Sequence, residues 1–190
     1  LPEVETIRRD LEEKVTGKKI KDIKILAAKS VHNKTADFLN VLVDNSFLRI
    51  ERRGKLLMFV LKKTAKFGYL LLHLKMTGQL IFKQNNRLLA GGHDVTLKDL
   101  QVPNKFTRLI FTFDNGGQLF FNDMRRFGYL KLVSKKEKEK IVKNNFGIEP
   151  LTPDYKFKAF ANLFKNRKTS VKALLLNQKF ISGIGNIYAD

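Results

Sequence analysis

Thr107-Arg108-Leu109-Ile110-Phe111-Thr112-Phe113-Asp114-Asn115-Gly116-Gly117-Gln118-Leu119-Phe120-Phe121 is two strand-like runs on either side of a turn. Asparagine and glycine accept positive φ at low cost, so Asp114-Asn115-Gly116-Gly117 predicts a hairpin. The β-branched and aromatic flanks suit pleated, half-buried surfaces. The same texture extends in both directions. Candidate strands lie at 20–31, 47–52, 55–61, 69–74, 79–83, 94–100, 107–113, 118–121 and 129–133, punctuated by Arg53-Gly54 and Thr77-Gly78. Many short strands joined by turns predict a sandwich or barrel, and helical segments at both ends make the fold class α+β.

Ahead of the strands, Pro2 followed by Glu3 and Glu5 opens a helix, because proline lacks an N–H that would go unpaired there and carboxylates favour the positive end of the helix dipole. Val4, Ile7, Leu11 and Val15 then make one apolar stripe, and Gly17 offers a left-handed stop. A helix over 2–16 follows, and a second over 35–44 is expected from Phe38, Leu39, Val41 and Leu42. Lys135-Lys136-Glu137-Lys138-Glu139-Lys140 has little to bury, so 134–149 reads as a linker or exposed helix between a domain over 1–133 and another over 150–190. Beyond it Ala159, Phe160, Leu163 and Phe164 form one helical stripe and Val171 to Leu176 another, while Gly183-Ile184-Gly185-Asn186 hinges a third element. The pattern stops at Asp190 without a cap, so a truncated chain is expected.

Composition narrows the chemistry. The 190 residues carry 37 Lys plus Arg against 18 Asp plus Glu, a net charge of +19, which points to a polyanionic partner. With 43% hydrophobic and 11% aromatic residues, disorder as the main state is excluded. The absence of cysteine removes disulfides, a thiol nucleophile, thiolate-ligated zinc and iron–sulfur clusters. His32, His73 and His93 show no metal-ligand spacing. No run approaches the roughly 18 apolar residues of a membrane span, and the N-terminus does not resemble a signal peptide, so a cytoplasmic location is expected.

Three motifs exceed a generic basic surface. Arg52-Arg53-Gly54-Lys55 at a hairpin tip could meet phosphates, or could be an ordinary solvated turn. In Asn122-Asp123-Met124-Arg125-Arg126-Phe127-Gly128 adjacent arginines would point to opposite faces if extended, one toward a backbone phosphate and the other, with Phe127, into a base stack; the plainer reading is a strand end with one core phenylalanine. Lys168-Thr169-Ser170-Val171-Lys172 with Gly183-Ile184-Gly185-Asn186 could hold an anion at a helix start, or form a tight turn between helices. Met76 taken alone would be a core residue, and His93 a loop histidine.

In order, Leu1-Pro2-Glu3-Val4-Glu5-Thr6, Arg53-Gly54-Lys55, His73-Leu74-x-Met76-Thr77-Gly78, Asn122-Asp123-x-Arg125-Arg126-Phe127-Gly128 and Gly185-Asn186-Ile187-Tyr188-Ala189 resemble the formamidopyrimidine-DNA glycosylases, with endonuclease VIII the nearest alternative. The resemblance covers essentially the whole chain. It implies an N-terminal β-sandwich flanked by helices, then a partial helix–two-turn–helix domain, and bifunctional glycosylase and AP lyase chemistry on oxidised purines in duplex DNA, by a nucleoid-associated monomer. A lesion base cannot be attacked inside the duplex, so it is swung out and the hole is filled by side chains. Matched motif by motif, Met76, Arg125 and Phe127 are the fillers. Arg126, Lys168, Asn186, Lys172 and His93 contact DNA, and Lys55 assists β-elimination.

The resemblance also implies parts that these residues do not supply. Family chemistry uses an N-terminal proline amine as nucleophile and the following glutamate as acid/base, and both would precede Leu1. Pro2 cannot replace them, because its nitrogen is acylated. The Leu1 amine would fall short by about 7 Å of extended chain. A four-cysteine zinc finger would follow Asp190, so zinc is expected in the complete protein and none in this chain. Lys75 stands where the family usually has glycine, and Met124 where it usually has proline. Two other readings remain open: a damage-binding protein of the same fold without a nucleophile, and an RNA-binding protein suggested by charge alone.

Overall fold

A computed structural model describes residues 2–85, 87–92, 100–150 and 152–190. Packing divides the chain into two compact units, one of Pro2–Arg52 with Leu56–Lys135, the other gathering Arg53–Lys55 with Lys136–Asp190.

The larger unit begins with α1 (Pro2–Val15), whose stripe of Val4, Ile7, Leu11 and Val15 is buried. Its strands form two sheets. One orders β1 (Ile20–Ile25), β7 (Thr107–Phe113), β8 (Gln118–Asp123), β5 (Gly78–Gln84) and β6 (Arg87–Gly92); the other orders β2 (Phe47–Arg53), β3 (Leu56–Leu61), β4 (Tyr69–His73) and β9 (Tyr129–Val133). Phenylalanines join them: the Phe47 ring lies 4.8 Å from Phe59 in its own sheet and 6.1 and 6.4 Å from Phe111 and Phe113 in the other. Such aromatic pairs supply both buried area and fixed edge-to-face geometry. Helix α2 (Thr35–Leu42) buries Phe38 and Leu42.

The expected hairpin forms at Asp114–Gly117, where Phe113 N–H donates to Gly117 O at 2.8 Å and Gly116 takes φ +79°. Two expectations change. The run at 20–31 is strand only to Ile25, then a 3-10 turn over Ala28–Ser30, after which Val31 and His32 bridge to Leu130 and Asn33 bonds both backbone groups of Leu132. That segment covers the outer edge of β9, which would otherwise expose unpaired backbone. Strand β6 has no counterpart among the expected strands, since Arg87-Leu88-Leu89-Ala90-Gly91-Gly92 lacks β-branched residues; its Gly91 is needed because a Cβ there would lie 2.8 Å from Ile7 of α1. The expected strand at 94–100 and the His93 site lie outside the described residues, except Leu100, which sits in a turn.

The smaller unit contains most of α3 (Lys135–Asn145), with α4 (Phe157–Asn162), α5 (Val171–Leu176) and α6 (Asn186–Ala189). Helix α3 occupies the stretch read as a linker or exposed helix and buries no side chain. Gly147 packs so close to Phe180 O that a Cβ would lie 2.1 Å away, and Ile148 pairs with Ile181 in a parallel bridge. No helix among the described residues is long and apolar enough to cross a membrane.

An ion network fastens α1 to β2. Glu5 accepts from Arg8, Arg9 and Arg52, the last at 2.8 Å, while Glu12 accepts from Arg8 and from the Ile50 amide at 3.0 Å. Burial alone would raise the Glu5 pKa, but hydrogen bonds from Arg8, Arg52 and Arg9 outweigh it and hold the carboxyl at about 2, against 4.5 for a free glutamate. A lowered folded-state pKa stabilises the fold above about 4.5 and loses that contribution as pH falls toward 2. Glu5→Gln should therefore cost about 1–2 kcal/mol at pH 7, after discounting for solvent screening, and progressively less below pH 4.5. Urea melts of both proteins at pH 7 and pH 3 check this, and a difference that does not shrink in acid would contradict it.

Candidate nucleic-acid interface

Two turns of the larger unit carry the residues of interest. The first, between β4 and β5, holds Lys75, Met76 and Thr77; the second, between β8 and β9, holds Met124 to Gly128. Pairing of β5 with β8 sets Gly78 opposite Asp123, so the two turns emerge side by side.

From them Met76, Arg125 and Phe127 project together. Arg125 Nη1 lies 3.2 Å from Met76 Sδ, and its guanidinium stacks 4.9 Å from the centre of the Phe127 ring. Met76 is 57% exposed and Phe127 54%, so neither is the core residue that a reading of each alone suggests. An exposed thioether, aromatic ring and arginine in mutual contact make an apolar wedge with a cationic edge. The arginine pair is not extended: Arg126 takes φ +58° within a bend, so strand alternation does not apply to it.

Beneath the wedge lies a buried polar layer. The Asp123 carboxylate, 1% exposed, accepts from the Thr77 hydroxyl and, at 2.6 Å, from Gly128 N–H. Thr77 Oγ1 in turn accepts from Arg125 N–H at 3.1 Å. Arg108, 6% exposed, donates through Nε to Asp123 O at 2.8 Å and through Nη1 to Lys105 O at 3.2 Å. Burial and then the charge of Arg126 pull the Arg108 pKa down, opposed by Asp123. On the first turn, Lys75 N–H donates to His73 Nδ1 at 3.0 Å and its ammonium lies 5.8 Å from the centre of the Tyr129 ring, which stacks on His32 at 4.5 Å.

The smaller unit holds the other expected residues. Lys55 is half-buried beside Gly54, whose φ of +56° turns the hairpin. Arg53 donates to Gly147 O and lies 3.4 Å from Glu149, while Arg52, in the larger unit, bonds Glu5. Both arginines of the tip thus hold protein partners. Lys168 is exposed, Asn186 opens α6, and Lys172 pairs with Asp190 instead of standing free. Gln178 closes the glycine turn, accepting from Gly183 N–H at 2.8 Å and donating to Ile184 O at 2.8 Å.

The sequence profile of the formamidopyrimidine-DNA glycosylase N-terminal domain matches residues 1–130, and that of the family's H2TH domain matches residues 146–190. The chain belongs to the formamidopyrimidine-DNA glycosylase family. It is 34% identical over its whole length to the formamidopyrimidine-DNA glycosylase of Ligilactobacillus salivarius and 38% identical to that of Protochlamydia amoebophila, spanning 63% and 62% of those proteins. Among solved structures, Lactococcus lactis Fpg bound to abasic-site DNA superposes with a TM-score of 0.83 at 30% identity, covering all of this chain and 64% of that one. The same protein bound to Fapy-dG DNA gives 0.83 at 30% identity, with 65% of its chain covered.

Sequence reasoning missed Arg108, Thr77 and Gln178. For Arg108 a cue existed: a lone cation inside a run of otherwise buried strand residues must be partnered, because an unpaired buried charge is too costly. Gly78 is fixed by sterics, since a Cβ there would lie 2.4 Å from Leu74 O. Gly78→Ala should therefore lower unfolding stability by at least about 2 kcal/mol, measured by urea denaturation, because backbone must move to admit the methyl.

Proposed function

We propose that the protein is a bifunctional DNA glycosylase and AP lyase of base-excision repair, acting on oxidised purines such as 8-oxoguanine and formamidopyrimidines in duplex DNA. The observation that carries this reading is the exposed contact cluster of Met76, Arg125 and Phe127 in a chain of this family with a net charge of +19.

Extruding a base costs a few kcal/mol of stacking and pairing. A wedge assembled before binding offsets part of that cost, because its side chains lose little further freedom when they enter the helix. Phe127 stacks against the opened step, Met76 fills the irregular space, and Arg125 presents hydrogen-bond donors to the orphaned cytosine. Arg126 and Lys168 hold phosphates that flank the lesion, with Asn186 beside them. In the chemical steps Lys55 serves as a proton donor and acceptor for β-elimination. The amine nucleophile and its glutamate are those that the family places ahead of the position of Leu1.

Zinc belongs to the complete protein in this reading. The present residues do not fit it: the chain has no cysteine, and no group of three or more metal-ligating side chains occurs among the described residues. No step is therefore assigned to it.

Incubating the complete gene product with duplex carrying 8-oxoguanine opposite cytosine and reducing with borohydride should trap a covalent protein–DNA adduct. Selective binding of that duplex without an adduct would favour a damage-binding protein of the same fold. Alanine at Met76, Arg125 or Phe127 should slow lesion extrusion while sparing affinity for undamaged duplex. Alanine at Arg126 or Lys168 should weaken binding to all sequences and reduce the salt slope by about 1 each. Stopped-flow fluorescence and salt titrations distinguish the two sets, and equal effects would refute the division of roles.

A further inference from the structure

We propose that the buried Thr77–Asp123 pair is the positioning unit of the wedge, holding the Met76 turn and the Arg125–Phe127 turn in one fixed spacing; this rests on the reading of the cluster given above. The atoms connect in sequence. Asp123 Oδ2 accepts from Gly128 N–H, which fixes the far end of the second turn. Its Oδ1 accepts the Thr77 hydroxyl proton, which fixes the first turn directly after Met76. Thr77 Oγ1 then uses a lone pair to accept from Arg125 N–H, which fixes the near end of the second turn. One hydroxyl thus donates to Asp123 at the end of β8 and accepts from Arg125 in the second turn.

Above this buried pair, the soft Arg125–Met76 contact also joins the two turns. The β5–β8 ladder aligns the turns as far as Gly78 and Asp123, and the β4–β9 ladder as far as His73 and Tyr129, but the wedge residues lie past both ends. Without the hydroxyl the turns would still emerge as neighbours, with the distance between Met76 and Phe127 less closely set. Buried, charge-assisted hydrogen bonds suit this task because breaking one leaves a desolvated partner unsatisfied. Neither side chain touches DNA in this role. Both act through Met76, Arg125 and Phe127.

The test uses the complete gene product and a duplex with 8-oxoguanine beside 2-aminopurine, whose fluorescence reports extrusion. Thr77→Val keeps the shape and removes the hydroxyl; Thr77→Ser restores it. Extrusion should slow about tenfold or more in Thr77→Val and recover to within about twofold in Thr77→Ser, with affinity for undamaged duplex nearly unchanged and the melting temperature of Thr77→Val lowered by several degrees as the buried Asp123 carboxylate loses a donor. Asp123→Asn can still accept from Thr77 but turns an N–H donor toward Gly128, so it should slow extrusion too, and the double variant should be no slower than the worse single one. Equal rates for Thr77→Val and Thr77→Ser overturn the proposal, as does an equal loss of undamaged-duplex affinity. If Thr77→Val does not fold, Asp123→Asn decides by the same readout. Unfolding of both would make the pair a fold determinant and overturn it as well. Absence of extrusion in the unsubstituted protein would instead defeat the functional reading.

Discussion

The register in which β5 pairs with β8 is the constraint from which the rest of the interface follows. Gly78 lies opposite Asp123 and Leu80 opposite Phe121, so β5 begins where β8 ends, and the turn entering the one and the turn leaving the other share one end of the sheet. A slip of one residue would exchange the faces of Leu80 and Phe82 with those of Gln79, Ile81 and Lys83, and so set the exposed Lys83 in the place of the buried Phe82. The hydrophobic pattern of the strands therefore fixes the polar geometry of the turns. Gly78 and Gly128 complete it: a Cβ at Gly78 would meet the Leu74 carbonyl and one at Gly128 the Phe121 ring and the His73 carbonyl, so the turns close tightly.

Charge is partitioned in the same spirit. Several acidic residues are engaged within the fold: Glu5 and Glu12 tie α1 to β2, Glu149 meets Arg53, and the Asp123 carboxylate accepts from the Gly128 N–H and the Thr77 hydroxyl. Carboxylates held this way do not project negative potential far into solvent. The surplus of lysine and arginine is left to face outward, where a polyanion releases counterions on binding. Arg108 extends the argument inward, because a buried cation near Arg126 strengthens local positive potential and is made tolerable by the carbonyls of Asp123 and Lys105.

Most of the fold was legible in the sequence, and the reasons are local. Strands β7 and β9 and helix α5 coincide with the expected bounds, because their hydrophobic periods are clean and turn residues flank them. Strand β6 was hidden because its pairing to β5, not its composition, makes it a strand. The wedge residues were legible only as a motif, since nothing in methionine or phenylalanine alone distinguishes a 57% exposed side chain from a buried one. The Thr77–Asp123 pair was not legible at all. It joins residues 46 positions apart, and hydroxyl and carboxylate residues are common enough in turns that only three-dimensional proximity singles them out.

Backbone strain gives an independent pointer to the same place. Among the described residues, five other than glycine have positive φ: Asp44, Lys75, Asn85, Arg126 and Asn166. Aspartate and asparagine enter the left-handed region readily, because their short side chains bond the local backbone. Lysine and arginine have no such compensation and bear about 1–2 kcal/mol each, which glycine would avoid. Both costly residues fall in the two turns of the wedge, Lys75 beside Met76 and Arg126 between Arg125 and Phe127. The Lys75 amide is held by His73 Nδ1, and the chain flanking Arg126 by the bonds from Arg125 and Gly128, so the surrounding hydrogen bonds sustain the strain. A turn that needed only to reverse direction would be cheaper with glycine. That both positions instead carry a cation sets two positive charges beside the apolar wedge, each on a backbone conformation that the neighbouring hydrogen bonds sustain.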